Sequence, residues 1–163
     1  SIFFFFFYML DYHVLNSSSL QDEEYQMQVQ QAEVERAALI NSGAFLNEES
    51  VTLLTDPAAL DAGKQIFTTN CVACHAADGG GLVGPNLTDD YWIHGGGIKN
   101  IFKVIKYGVV AKGMISWQSQ LNPKQMQDVA SYVISLHGTS PANPKQQEGT
   151  IWKESDSTAV ASK

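Results

Sequence analysis

Two cysteines stand three apart, and a histidine follows the second: Cys71-Val72-Ala73-Cys74-His75. This C-x-x-C-H spacing constrains the chain more than anything else in it, because it reads as a c-type haem attachment site. Two thiols at that separation can each form a thioether with one haem vinyl group. The histidine beside the second thiol then sits under the iron as an axial ligand. Other uses of a cysteine pair fit less well. A redox C-x-x-C belongs near a βαβ pattern, whereas here helices and glycine-rich loops flank the pair. A structural zinc site needs two more ligands at suitable spacing. A simple disulfide is the remaining alternative.

The rest of the chain reads as all-α. Asp56-Pro57 is an N-cap followed by proline at the first helical position. Leu60, Gly63 and Phe67 share a face, which predicts a helix to about Thr69. Residues 76–90 are a glycine-rich loop. Between Gly97 and Tyr107, Ile98, Ile101, Phe102 and Ile105 recur at helical spacing, with Lys99, Lys103 and Lys106 on the other side. Gly108 ends that helix. Asn122-Pro123 opens a last helix with Met126, Val129, Ala130 and Val133 inward. No segment shows convincing strand alternation.

Four zones follow: an apolar segment 1–15, a polar spacer 16–55, the compact domain 56–138, and an extended tail 139–163. In the spacer, Ser19 with Asp22 resembles a capping box, and 20–41 reads as an exposed helix. Residues 2–15 are apolar but for Asp11 and His13. They lack the basic region and cleavage site of a signal peptide. Fourteen helical residues reach only about 21 Å, short of a hydrocarbon core of about 30 Å. The segment therefore reads as the exit end of a transmembrane helix, with Tyr8 and Tyr12 near the headgroups.

The net charge of −7 argues against nucleic acid as a partner. It is unevenly placed. Residues 21–56 hold eight acids and one base, and residues 95–124 hold five lysines and no acid. The basic zone is a solvated face or a docking face for a charged partner.

The domain resembles the small monohaem cytochrome c family over about 56–138. The family's glycine and phenylalanine ahead of the haem motif appear as Gly63 and Phe67, and its packing aromatic on the last helix as Tyr132. Its Gly-Pro-x-Leu loop appears as Gly84-Pro85-Asn86-Leu87. The resemblance implies that the Pro85 carbonyl accepts a hydrogen bond from the His75 ring. The family keeps its sixth ligand in a loop, which points to Met114 in "KGMISW". Met126 falls on a helix stripe, Met9 and Met27 lie outside the domain, and His94 and His137 are the rivals. By the same resemblance Tyr91 and Trp92 donate to a haem propionate; ordinary core packing is the equal alternative. Leu82, Leu87, Ile101, Ile105, Val109, Ile115 and Val133 are candidate pocket residues, with Trp117 near the haem.

A closer resemblance covers nearly the whole chain. Residues 86–149, and "FYMLDYHVLN" followed by a polar helix, are similar to the membrane-anchored subunit III of cbb3-type oxidases. Many members carry two C-x-x-C-H motifs, and this chain has one. The resemblance implies a chain with no bond chemistry of its own, carrying one haem c. It would pass electrons from a periplasmic cytochrome or quinol-oxidising complex to a haem–copper core subunit and its membrane neighbours. It also implies the bacterial inner membrane, with the haem domain facing the periplasm. A free-standing anchored cytochrome, and a haem enzyme or gas sensor with an open sixth position, are the alternatives.

Overall fold

The computed structural model describes residues 2–13 and 17–153. The chain divides into two units, Ser1–Asn41 and Ser42–Lys163.

The first unit holds α1 (Ile2–His13) and α2 (Ser17–Asn41). Phe3 to Phe7 are exposed along α1. The second helix begins at Ser17, so Ser19 and Asp22 both fall within its range. Serines cost little in a first turn, where the N–H groups have no intrahelical partner. Residues 14–16, between the apolar segment and the spacer helix, lie outside the described residues, as do residues 154–163 of the expected tail. Among the described residues no helix is long and apolar enough to cross a membrane.

The second unit packs α3 (Pro57–Asn70) and α5 (Gly97–Tyr107) against α6 (Pro123–Ser135). Both expected caps form. Asp56 accepts from the Ala59 amide at 2.9 Å. Asn122 and Gln125 bond reciprocally, each at 2.9 Å. Where α3 meets α6, Gly63 leaves no room for a side chain: a Cβ there would lie 2.2 Å from the Asp128 carbonyl oxygen. That closeness lets the Phe67 and Tyr132 rings meet, tilted, with centroids 5.4 Å apart. Phe67, Phe102, Met126, Val129, Ala130 and Val133 form the buried centre. Met126 is 2% exposed, so it packs the core as its stripe suggested.

Two segments behave differently from their composition. Residues 42–55 had read as spacer, yet they lie on the domain. Asn47 closes a turn by accepting from the Glu49 and Ser50 amides at 2.9 Å. Val51 is then buried, Gln127 donates to the Thr52 carbonyl at 2.8 Å, and Ser131 accepts from the Leu54 amide at 3.1 Å. The all-α reading also needs amendment. Tyr91–Trp92 (β1) pairs antiparallel with Thr150–Ile151 (β2). Two residues are too few to leave a period-2 pattern.

Candidate haem site

The motif forms where α3 ends. The Cys71 amide still donates to Phe67, and one further turn, α4 (Val72–His75), carries the motif. Residues three and four apart share a helix face, which gathers Cys71, Cys74 and His75. Both thiols are free, Cys71 half-buried and Cys74 exposed. Burial, with Cys74 beside it, pushes the Cys71 thiol up to about 11. Ala76 ends the turn with φ at 62°, rarely adopted by a residue with a side chain.

The chain then folds back under the histidine. Gly81 donates to the His75 carbonyl, and Leu82 and Gly84 donate to the Cys74 carbonyl, all at 2.9 Å. The His75 ring lies against Gly84, where a Cβ would come within 2.7 Å of it. His75 Nδ1 lies 3.0 Å from the Pro85 carbonyl oxygen. A carbonyl can only accept, so Nδ1 carries the hydrogen and the Nε2 lone pair is left for a metal. Burial holds His75 below its ordinary range, the Pro85 bond opposes this, and the nearby Lys145 charge adds to it. Below Pro85, the buried Asn86 side chain accepts from both the amide and the hydroxyl of Thr88, at 2.9 and 2.8 Å.

Met114 stands at the end of a second tight loop. Val109 and Met114 exchange backbone hydrogen bonds at 2.9 and 3.2 Å, with a 3-10 turn over Val110–Lys112 and a left-handed Gly113 between them. Met114 is half-buried. It packs with Cys71, Val72, Trp92 and Trp117 against the same core cluster. His137 is engaged elsewhere, 2.7 Å from Asp90, and His94 is exposed. Tyr91 and Trp92 lie half-buried in β1, with the Tyr91 amide donating to Asp89 at 2.9 Å.

The candidate pocket residues divide. Leu87, Ile101, Ile105 and Val133 are core, whereas Leu82 and Ile115 are exposed. Of the basic zone, Lys106 donates to Glu48 at 2.9 Å and Lys99 to Glu49 at 3.4 Å. Part of that face is thus neutralised within the chain. Among the described residues no three His, Cys, Asp or Glu side chains gather as a metal cage.

These residues suit a c-type haem. Two free thiols share one helical turn with an imidazole whose Nε2 is bare. Exposed apolar side chains (Leu82, Val83, Val110, Ile115) stand on the loop after the motif and on the loop around Met114. Sequence reasoning missed Ala76, which carries no motif, and Lys145, which sits in a stretch that looks like tail.

A helical domain bearing this site is of the cytochrome c class. Residues 58–133 match the family model described as cytochrome C oxidase, cbb3-type, subunit III. The chain is 38% identical over 95 residues to the cbb3-type cytochrome c oxidase subunit CcoP of Rubrivivax gelatinosus, covering 58% of this chain and 31% of that protein. It is 41% identical over 95 residues to CcoP of Rhodobacter capsulatus, covering 51% and 31%. It is 38% identical over 96 residues to FixP of Azorhizobium caulinodans, covering 53% and 33%. The match thus spans about a third of the length of these relatives. Among solved structures, cytochrome cL of Methylophaga aminisulfidivorans aligns at 29% identity and a TM-score of 0.48, over 51% of this chain and 56% of that one.

Proposed function

We propose that this chain transfers electrons through one haem c, held covalently by Cys71 and Cys74, with His75 and Met114 as axial ligands. Its partners are a periplasmic donor on one side and the oxygen-reducing core of a cbb3-type oxidase on the other. The observation that carries this reading is the His75 arrangement: Nδ1 held by Pro85 at 3.0 Å, Nε2 bare, and two free thiols on the same turn. When bound, the haem supplies a one-electron couple. The chain's own residues hold it, fix the imidazole tautomer and bury one side of it. A thioether ligand from Met114 together with the His75 imidazole would favour a high potential. Tyr91 and Trp92 are assigned to the haem's carboxylate edge. The apolar α1 is assigned to the bilayer, with the haem domain on the periplasmic side. The names of the relatives support an oxidase complex.

The test is expression of the full chain in a host that attaches haem c. Haem staining of a denaturing gel, with the intact mass, should show one covalent haem. It should disappear in the Cys71→Ser/Cys74→Ser double variant. An unloaded native chain contradicts the proposal. Copurification from native membranes with a haem–copper subunit supports the oxidase role. Recovery without one supports a free-standing anchored shuttle.

A further inference from the structure

Residues 139–152 are not a loose tail. They cross the loop that holds His75 and are fixed at both ends. At one end the Gly138 amide donates to the Thr88 carbonyl at 2.8 Å. At the other, β2 pairs with β1 and the Trp152 amide donates to Asp90 at 3.0 Å. The Trp152 ring lies over Gly96, where a Cβ would be 2.6 Å from it.

Lys145 stands in the middle of this strap. Its amide donates to the Gly80 carbonyl at 2.8 Å. Its ammonium donates to the Val83 carbonyl at 3.1 Å and the Gly84 carbonyl at 3.4 Å. Those carbonyls immediately precede Pro85, whose own carbonyl holds the His75 ring. Glu148 lies 2.7 Å from the same ammonium and partly offsets its charge. Lys145 is 31% exposed, so water screens it only in part.

We infer that Lys145 is a positioning residue that pins the Val83–Pro85 loop beneath His75 and, through its charge, raises the reduction potential of the haem. The inference rests on the haem reading above. The sign follows from electrostatics. Oxidation adds a positive charge at the iron, and a nearby ammonium opposes it. A strap that only braced the loop would respond alike to loss of either member of the Lys145–Glu148 pair. A charge acting on the iron responds in opposite directions.

The experiment is spectroelectrochemical titration of the full, haem-loaded chain as wild type, Lys145→Met, Lys145→Arg and Glu148→Gln. Removing the ammonium should shift the ferric–ferrous equilibrium on the order of threefold toward ferric, about 28 mV at 59 mV per tenfold for one electron. Glu148→Gln should shift it toward ferrous, and Lys145→Arg should stay near wild type. If Glu148→Gln leaves the potential unchanged, or lowers it as Lys145→Met does, the inference fails. Should Lys145→Met not load haem, the Glu148→Gln shift still decides. A wild-type chain without covalent haem on a denaturing gel would instead overturn the haem reading itself.

Discussion

Placing a methyl group at Gly63 sets two effects of opposite sign against each other. In an exposed helix interior, Gly→Ala stabilises by about 1 kcal/mol through backbone entropy and propensity. At Gly63 the new Cβ would lie 2.2 Å from the Asp128 carbonyl oxygen, 2.7 Å from its carbon and 2.8 Å from Tyr132 Cβ. Real Cβ atoms essentially never come within 3.0 Å of such neighbours. Two of those three atoms are backbone of α6, so no rotamer change relieves the clash. The helices must separate by nearly an ångström. Overpacking of this kind costs about 1–3 kcal/mol, occasionally more. Separation also weakens the Phe67–Tyr132 ring contact, a pair type worth about 0.5–1.5 kcal/mol. The steric and packing losses exceed the propensity gain, for a net loss of about 2 kcal/mol. For a domain of this size that lowers Tm by about 8–16 °C. Urea and thermal unfolding of wild type and Gly63→Ala, followed by circular dichroism, measure it. A variant as stable as wild type, or stabilised by the propensity gain, would show that α3 and α6 do not meet at this glycine.

Two further outcomes follow from local chemistry. The Tyr107 hydroxyl, and then the Lys106 ammonium, hold the Glu48 carboxyl down to about 2 from an ordinary 4.5. A lowered carboxylate pKa adds stability that is present above about pH 4.5 and is lost as pH falls toward 2. Glu48→Gln should therefore cost on the order of 1 kcal/mol at pH 7 and nothing near pH 2, read from urea midpoints across that window. Ala76 holds a φ of 62°, which glycine adopts freely, so Ala76→Gly should stabilise the domain by about 1 kcal/mol in the same assay.

Legibility in the sequence tracks the range of the interaction. The starts of α3 and α6 were readable because Asp56-Pro57 and Asn122-Pro123 act within one turn. The α5 helix was readable because Ile98, Ile101, Phe102 and Ile105 keep one face. The thiol–imidazole cluster was readable because it occupies five consecutive residues. What escaped is non-local. Nothing near Lys145 announces that its ammonium meets the carbonyls of Val83 and Gly84, about 60 positions earlier. The acidic and basic zones were visible as composition. Their pairing through Glu48–Lys106 and Glu49–Lys99 was not, because it depends on segment 42–55 folding onto the domain. The β1–β2 pair is two residues long and leaves no periodic trace.

The central claim is that a haem held by Cys71 and Cys74 is ligated by His75 and Met114. The most direct measurement is the optical spectrum of the oxidised full chain beside its Met114→Ala and Met126→Ala variants. The wild type should show the weak near-infrared sulfur-to-iron band. Met126→Ala, a core change, should keep that band while losing stability. Met114→Ala should lose the band while its haem stays covalently bound on a denaturing gel. A band that survives Met114→Ala would contradict the ligand assignment.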